Sequence, residues 1–193
     1  MLQKVKTAKR RIKDYQGVID DDLYDEVLDL GKKLQGLRVL HINATNYGGG
    51  VAEILQSLIP LLNDVGLSAE WQVIEGNNDF FNITKFLHNS FQNGQCFQLT
   101  KKQTEIYEKI NKENADRFEG DYDLIIVHDP QPVALPFYIN NSKAKYIWRL
   151  HIDTSSCNDE NWSYFSPFLA KYSACIFSST QYAPETIPIK EKF

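Results

Sequence analysis

Apolar residues recur along this chain in two alternating rhythms. Between Asp21 and Leu34, Leu23, Val27, Leu30 and Leu34 fall on one helical stripe, and Gly36 ends the run. Leu37–Ile42 is then nearly continuous in apolar residues apart from Arg38 and His41, the pattern of a buried parallel strand. A helix follows, with Ala52, Leu55, Leu58, Ile59, Leu62 and Val65 at helical spacing and Gly66 where a helix-ending glycine belongs. Ala69–Glu75 reads as a second strand, so strand, turn, helix and strand predict a βαβ crossover.

Asn82–Phe91 predicts a helix with Ile83, Leu87 and Phe91 on one side and Lys85, His88, Asn89 and Gln92 on another. Thr100 and Gln103 predict a capping box opening a polar helix that runs toward Phe118. Tyr122–Asp129, Lys145–Asp153 and Ala174–Ser179 are three further apolar runs ending in polar residues. The alternation predicts an α/β domain, a Rossmann-like parallel sheet with helices on both faces. One such domain fills residues 1–193, with a helical N-terminal extension at about 1–35. No internal repeat, low-complexity segment or linker interrupts it.

Composition narrows the class. The 193 residues are 42% hydrophobic and 24% charged, ordinary for a globular protein, which excludes disordered and collagen-like classes. A net charge of −4 argues against a nucleic-acid partner, which would call for a basic face. The cluster Lys4, Lys6, Lys9, Arg10, Arg11 and Lys13 reads as a solvated arm or first helical turn. No apolar span of about 18 residues occurs, so no membrane partner is expected. Cys96, Cys157 and Cys175 form no C-x-x-C pair and read as buried thiols of a cytoplasmic protein.

The chemistry concentrates where strands end. Gly48, Gly49 and Gly50 follow the first strand and open a helix, whose first-turn N–H groups point toward whatever the turn holds. The dinucleotide fingerprint fails because Glu53 stands at its third glycine, and no Gly-Lys-Ser/Thr makes a phosphate loop. In open parallel sheets ligands gather beyond the carboxyl ends of the strands. Asn43 to Gly50, His128-Asp129-Pro130-Gln131-Pro132 and His151 to Ser155 all occupy such ends and should converge. Asp129 fits either a sugar-hydroxyl acceptor or a structural turn. His128 and His151 each fit a structural or a ligand role. Period-two alternation puts Arg149, His151 and Asp153 on one side of their strand, a polar triplet that needs partners or a ligand. No metal-binding pair of histidines and no nucleophile elbow appears, so no metal site is expected.

Four ordered segments carry a family resemblance. They are His41 to Leu55, Phe80 to Asn89, His128 to Pro132 and Trp148 to Ser155. Together they resemble the trehalose-forming glycosyltransferases, both the glycosyltransferring synthases and the retaining trehalose phosphorylases. The similarity runs from roughly Tyr15 to Phe177. It implies the N-terminal half of a GT-B enzyme, in which two Rossmann-like domains face across a cleft. Such enzymes move glucose from a nucleoside diphosphate glucose, or from glucose 1-phosphate, to glucose with retention of configuration.

For this chain the resemblance implies no cofactor beyond the nucleotide-sugar donor, and glucose or a similar sugar as acceptor. It places Gly48, Gly49 and Gly50 near the departing phosphate and the acceptor. Asp129 and Gln131 would hold acceptor hydroxyls and His151 would lie beside the transferred glucose, with His151 and Asp129 the catalytic residues. Lys85, His88 and Asn89 would line the acceptor side, and Asn43, Arg149 and Asp153 complete the substrate-binding set. The run Tyr182–Phe193 holds none of the basic residues and paired glutamates of the donor domain. The expectation is therefore an acceptor-side half, inactive or incomplete alone, whose partner is a C-terminal GT-B domain. Exposed apolar cleft surface would make a homodimer a further consequence. The alternatives are half of a trehalose phosphorylase and a non-catalytic sugar-binding or interaction domain.

Overall fold

A computed structural model describes residues 2–140, 142–157, 159–183, 187, 189 and 191–193, with backbone alone at 159–161. Pro184, Glu185, Thr186, Pro188 and Lys190 of the C-terminal run lie outside the described residues. The strands are β1 (Gln3–Lys4), β2 (Arg38–Asn43), β3 (Ser68–Val73), β4 (Leu124–His128), β5 (Lys145–Arg149), β6 (Ala174–Ile176) and β7 (Glu191–Lys192). The helices are α1 (Asp21–Lys33), α2 (Gly50–Asp64), α3 (Asn78–Asn93), α4 (Lys101–Asp116), α5 (Leu135–Tyr138) and α6 (Asp159–Leu169). One sheet results, in the order β1-β3-β2-β4-β5-β6-β7, parallel throughout except that β1 runs against β3.

Side-chain alternation along the strands divides the core in two. Trp71 and Val73 of β3 meet Ala52, Leu55 and Ile59 of α2 on one face. On the other face Leu40, Ile42, Ile125, Val127 and Trp148 join Phe80, Leu87 and Phe91 of α3, Tyr107 of α4 and Phe165 of α6. Helices therefore cover both faces, as the pattern requires. Phe91 packs its ring 4.7 Å from Trp162 and 5.3 Å from Phe165, so the aromatic run of α6 belongs to the core.

The connection out of β3 passes back across β2 to reach β4. Strand order thus reverses between β2 and β4, and a crevice opens beyond their carboxyl ends. This switch point is where the polar strand tips meet.

Several element ends differ from the sequence pattern for local reasons. β4 stops at His128 because Asp129 takes a left-handed backbone, φ 62°. β5 stops at Arg149 rather than continuing to Asp153, since the His151 N–H turns to the Asp129 carboxylate at 2.9 Å. α3 starts at Asn78, ahead of Asn82, because Asn77 caps it by accepting from the Phe80 N–H. The capping box of Thr100 and Gln103 is present at the start of α4. The first 35 residues are only partly helical: β1 is an edge strand, Ile12–Tyr15 a single 3-10 turn, and α1 the one full helix. Among the described residues no helix is long and apolar enough to cross a membrane.

Candidate active site

The switch-point crevice encloses about 590 Å³ and draws its lining from the ends of β2, β4 and β5 and the start of α2. That volume suits a small ligand. Its floor is the glycine turn. Gly48 and Gly49 hold φ of +66° and +155°, conformations that side-chain-bearing residues rarely adopt. A methyl group added at Gly50 would meet nothing within 4 Å, so neither space nor its own backbone angle demands glycine there. What the three glycines share is bare backbone facing the pocket.

Helix α2 begins on Gly49, which offers no side-chain cap. The first-turn N–H groups of Gly50, Val51 and Ala52 therefore lack acceptors from within the helix, and Val51 and Ala52 line the pocket. The positive end of a 15-residue helix points the same way. Asn43 holds the turn in place. Its Nδ2 donates to Thr45 O at 2.7 Å, and its Oδ1 accepts from Trp71 Nε1 at 2.7 Å. Asn43 lines the pocket with both halves of its amide already engaged.

Asp129 is bound from three sides. Its N–H donates to Arg149 O at 3.0 Å, its carbonyl accepts from Trp148 Nε1 at 3.0 Å, and its Oδ1 accepts from His151 N at 2.9 Å. The residue is half-buried with its carboxyl enclosed, and burial pushes that carboxyl up to about 6. The His151 N–H bond and the Arg149 charge pull the other way without overcoming it. A carboxyl poised near neutrality in a crevice marks a functional-site candidate.

His151 faces the pocket, and burial lowers its pKa to about 4, with the Arg149 charge a second cause. Its Nε2 lies 2.9 Å from His128 Nδ1, and His128 Nε2 lies 3.0 Å from His41 Nδ1. Gln131 also reaches the pocket, on a loop held by Tyr107 Oη donating to Pro130 O at 2.7 Å and Asn111 Nδ2 donating to Gln131 O at 3.2 Å. His88 enters from α3.

The other expected residues stand elsewhere. Lys85 and Asn89 are exposed on α3 outside the pocket lining. Arg149 stands beside the pocket, with Nη2 donating to the pocket residue Ser178 at 3.1 Å and Nη1 buried without a partner among the described residues. Asp153 accepts from Ser155 N at 2.9 Å and from Ser155 Oγ at 2.7 Å, a local turn outside the lining. The alternation that would align it with Arg149 ends with β5. The sequence pattern overlooked Ser178 and the paired role of His41 and His128. Ser178 follows β6, so the strand-end rule that found the other tips also points to it. Among the described residues no group of His, Cys, Asp and Glu is placed to hold a metal ion.

Residues 41–184 match the family model described as trehalose synthase, N-terminal domain. The trehalose synthase of Pyrococcus horikoshii is 41% identical over 187 residues, and that of Rubrobacter xylanophilus 41% over 189. Those alignments cover 94% and 95% of this chain but 45% of each relative, so the chain spans about half their length. The fold is similar to that of an α,α-trehalose-phosphate synthase (UDP-forming) from Burkholderia xenovorans, with a TM-score of 0.57 and 14% identity. That superposition covers 74% of this chain and 40% of the other. A trehalose 6-phosphate synthase from Burkholderia multivorans superposes with a TM-score of 0.53 and 14% identity, covering 76% of this chain and 41% of its own. With the family model matched from within β2 past the end of β6, the chain belongs to the trehalose synthase family and carries its N-terminal, GT-B-type α/β domain.

Proposed function

We propose that this chain is the acceptor-side half of a glycosyltransferase that makes trehalose from a nucleoside diphosphate glucose and glucose, with retention of configuration. The observation that carries the reading is convergence: bare backbone amides at Gly48–Val51, the Asp129 carboxyl and the His151 ring share one crevice. Hydroxyl-rich sugars need a carboxylate and neutral donors, which Asp129, Gln131, His88 and His151 supply. A departing phosphate gathers negative charge as its bond to glucose breaks. Preorganised amides at a helix N-terminus stabilise that charge at the moment it develops. The reading calls for no metal. It leaves the nucleotide to a second domain, which fits the 45% share of the relatives that the chain covers.

The test joins this chain to the C-terminal half of one of those relatives and supplies glucose with uridine or adenosine diphosphate glucose. We expect α,α-trehalose, identified by its anomeric proton signal. Asp129→Asn should lower kcat/KM about 10- to 100-fold, the worth of a charge-assisted hydrogen bond of ~1.5–3 kcal/mol. A joined, folded enzyme that makes no glucoside from any nucleoside diphosphate glucose would overturn the reading.

A further inference from the structure

Three histidines stand in a row that runs from the core into the pocket lining, and the roles above use only His151. Nδ1 of His41 lies 3.0 Å from Nε2 of His128, and Nδ1 of His128 lies 2.9 Å from Nε2 of His151. Successive rings meet edge to edge, with centroids 5.2 Å apart and planes 23° and 19° from parallel, as in-plane N–H···N bonds require. His41 and His128 are 2% and 3% exposed. A nitrogen–nitrogen contact at hydrogen-bond distance holds one hydrogen, because two would clash and none would set lone pair against lone pair. Burial lowers the pKa of all three rings, His41 and His151 to about 4, so each is neutral near pH 7.

A neutral imidazole carries one N–H, so these rings cannot choose their tautomers independently. Either all three hold hydrogen on Nδ1, or all three hold it on Nε2. The far end of the row decides between the two. His41 Nε2 is buried with no partner among the described residues. A hydrogen there would leave a buried donor unsatisfied, the rarer of the two defects, whereas a hydrogen on Nδ1 leaves only a bare lone pair. At the near end, His151 lines the pocket and its Nδ1 has no hydrogen-bond partner among the described residues.

We infer that His41 and His128 are positioning residues that lock His151 in its Nδ1–H form, so that His151 gives a hydrogen bond to a sugar hydroxyl oxygen in the pocket. In that form His151 Nδ1 cannot take a proton from the hydroxyl. It orients a sugar and does not serve as a base. The inference rests on the glucosyl-transfer reading for the identity of the ligand, while the tautomer follows from the row itself.

The test is nitrogen NMR on this chain with 15N-labelled histidine at about pH 7.5, where chemical shifts and couplings across N–H···N bonds report which nitrogen carries hydrogen. The expected result is Nδ1–H on His41, His128 and His151, with coupling across both contacts. Nε2–H on any of the three, a cationic ring or absent coupling overturns it. Two substitutions sharpen the test. His41→Asn keeps an N–H donor where Nδ1 stands and should leave His128 Nε2 bare. His41→Asp, once its carboxyl is ionised, offers only an acceptor and should move a hydrogen onto His128 Nε2, seen as a large upfield nitrogen shift as pH is raised. If either variant fails to fold, or the two give identical spectra, the unsubstituted chain decides alone. An Nδ1–H row in a joined enzyme that makes no trehalose would sink the functional reading only. A different tautomer in an enzyme that makes trehalose would sink the row only.

Discussion

The fold tolerates the charge on Asp129 poorly, and removing it should stabilise the protein while disabling it. Burial raises the Asp129 carboxyl from 3.8 to about 6. A group that binds its proton more tightly when folded contributes stability below its unfolded pKa and loses it as pH rises through the folded value. Between about pH 4 and pH 6 the folded protein must therefore give up roughly 3 kcal/mol to ionise this one group, less where pocket water reaches the carboxylate. Asp129→Asn removes that cost. Asparagine keeps an oxygen to accept the His151 N–H, and it is among the residues best suited to the left-handed φ of 62°. Urea unfolding of both proteins should give equal stabilities near pH 4, with the variant pulling ahead by up to about 3 kcal/mol above pH 7. Taking the difference between the two proteins cancels every other titrating group. A variant that is less stable at every pH, or a gap that does not widen with pH, would refute the reasoning. The carboxylate is then a burden the structure carries for a ligand.

Three further outcomes follow from the same geometry. Gly50→Ala places a methyl in open space at the first residue of α2, so thermal stability should hold or rise by up to ~1 kcal/mol; glucoside formation by the joined enzyme should nonetheless fall at least about tenfold, and full activity would show that no ligand approaches this backbone. Trp71→Phe leaves Asn43 Oδ1 without its buried donor, at a cost of ~1–3 kcal/mol in urea unfolding, and should weaken sugar binding measured by calorimetry; unchanged binding would mean that Asn43 does not hold the glycine turn. Acidification should unfold the chain early: His41, His88, His128 and His151 all have folded pKa values below 6.5, so the unfolded chain takes up protons first and stability falls from about pH 6.5 toward pH 4, by about 3 kcal/mol for His41 alone; Asp129 opposes this as one group against four, and a urea midpoint that rises on acidification would contradict it.

Much of the fold was legible because burial on two faces writes itself into the chain. The β4 run Leu124-Ile125-Ile126-Val127 and the helical stripe of α2 need no long-range information to be assigned. Very short elements were not legible: β1 and β7 have two residues each, too few to carry a period, and their pairing is decided by the neighbouring strand. The strand-tip rule brought Gly48, Gly49, Gly50, Asp129, Gln131 and His151 together, because in a parallel sheet all carboxyl ends share one edge. It misplaced Asp153 because it assumed that β5 continues, whereas the Asp129 carboxylate, 22 residues earlier in sequence, captures the His151 N–H and ends it.

His41 is the instructive miss. Inside an apolar strand it reads as an isolated polar residue beyond the entry Arg38, and nothing nearby in sequence explains it. Its partner His128 lies 87 residues away, and His128 meets His151 across 23 more. The parallel register sets His41 against Ile126, so His128 stands two residues further along β4, at the next same-face position, and His128 in turn pairs with Arg149 of β5, two residues before His151. Each ring is thus offset toward the carboxyl edge as the row crosses the sheet, so that His128 and His151 reach the pocket lining while His41 stays behind it. A residue's place in the chain predicts which strand tip it occupies, but register decides which side chains touch. A buried relay is the kind of feature that has no local signature, because it exists only as a relation between strands.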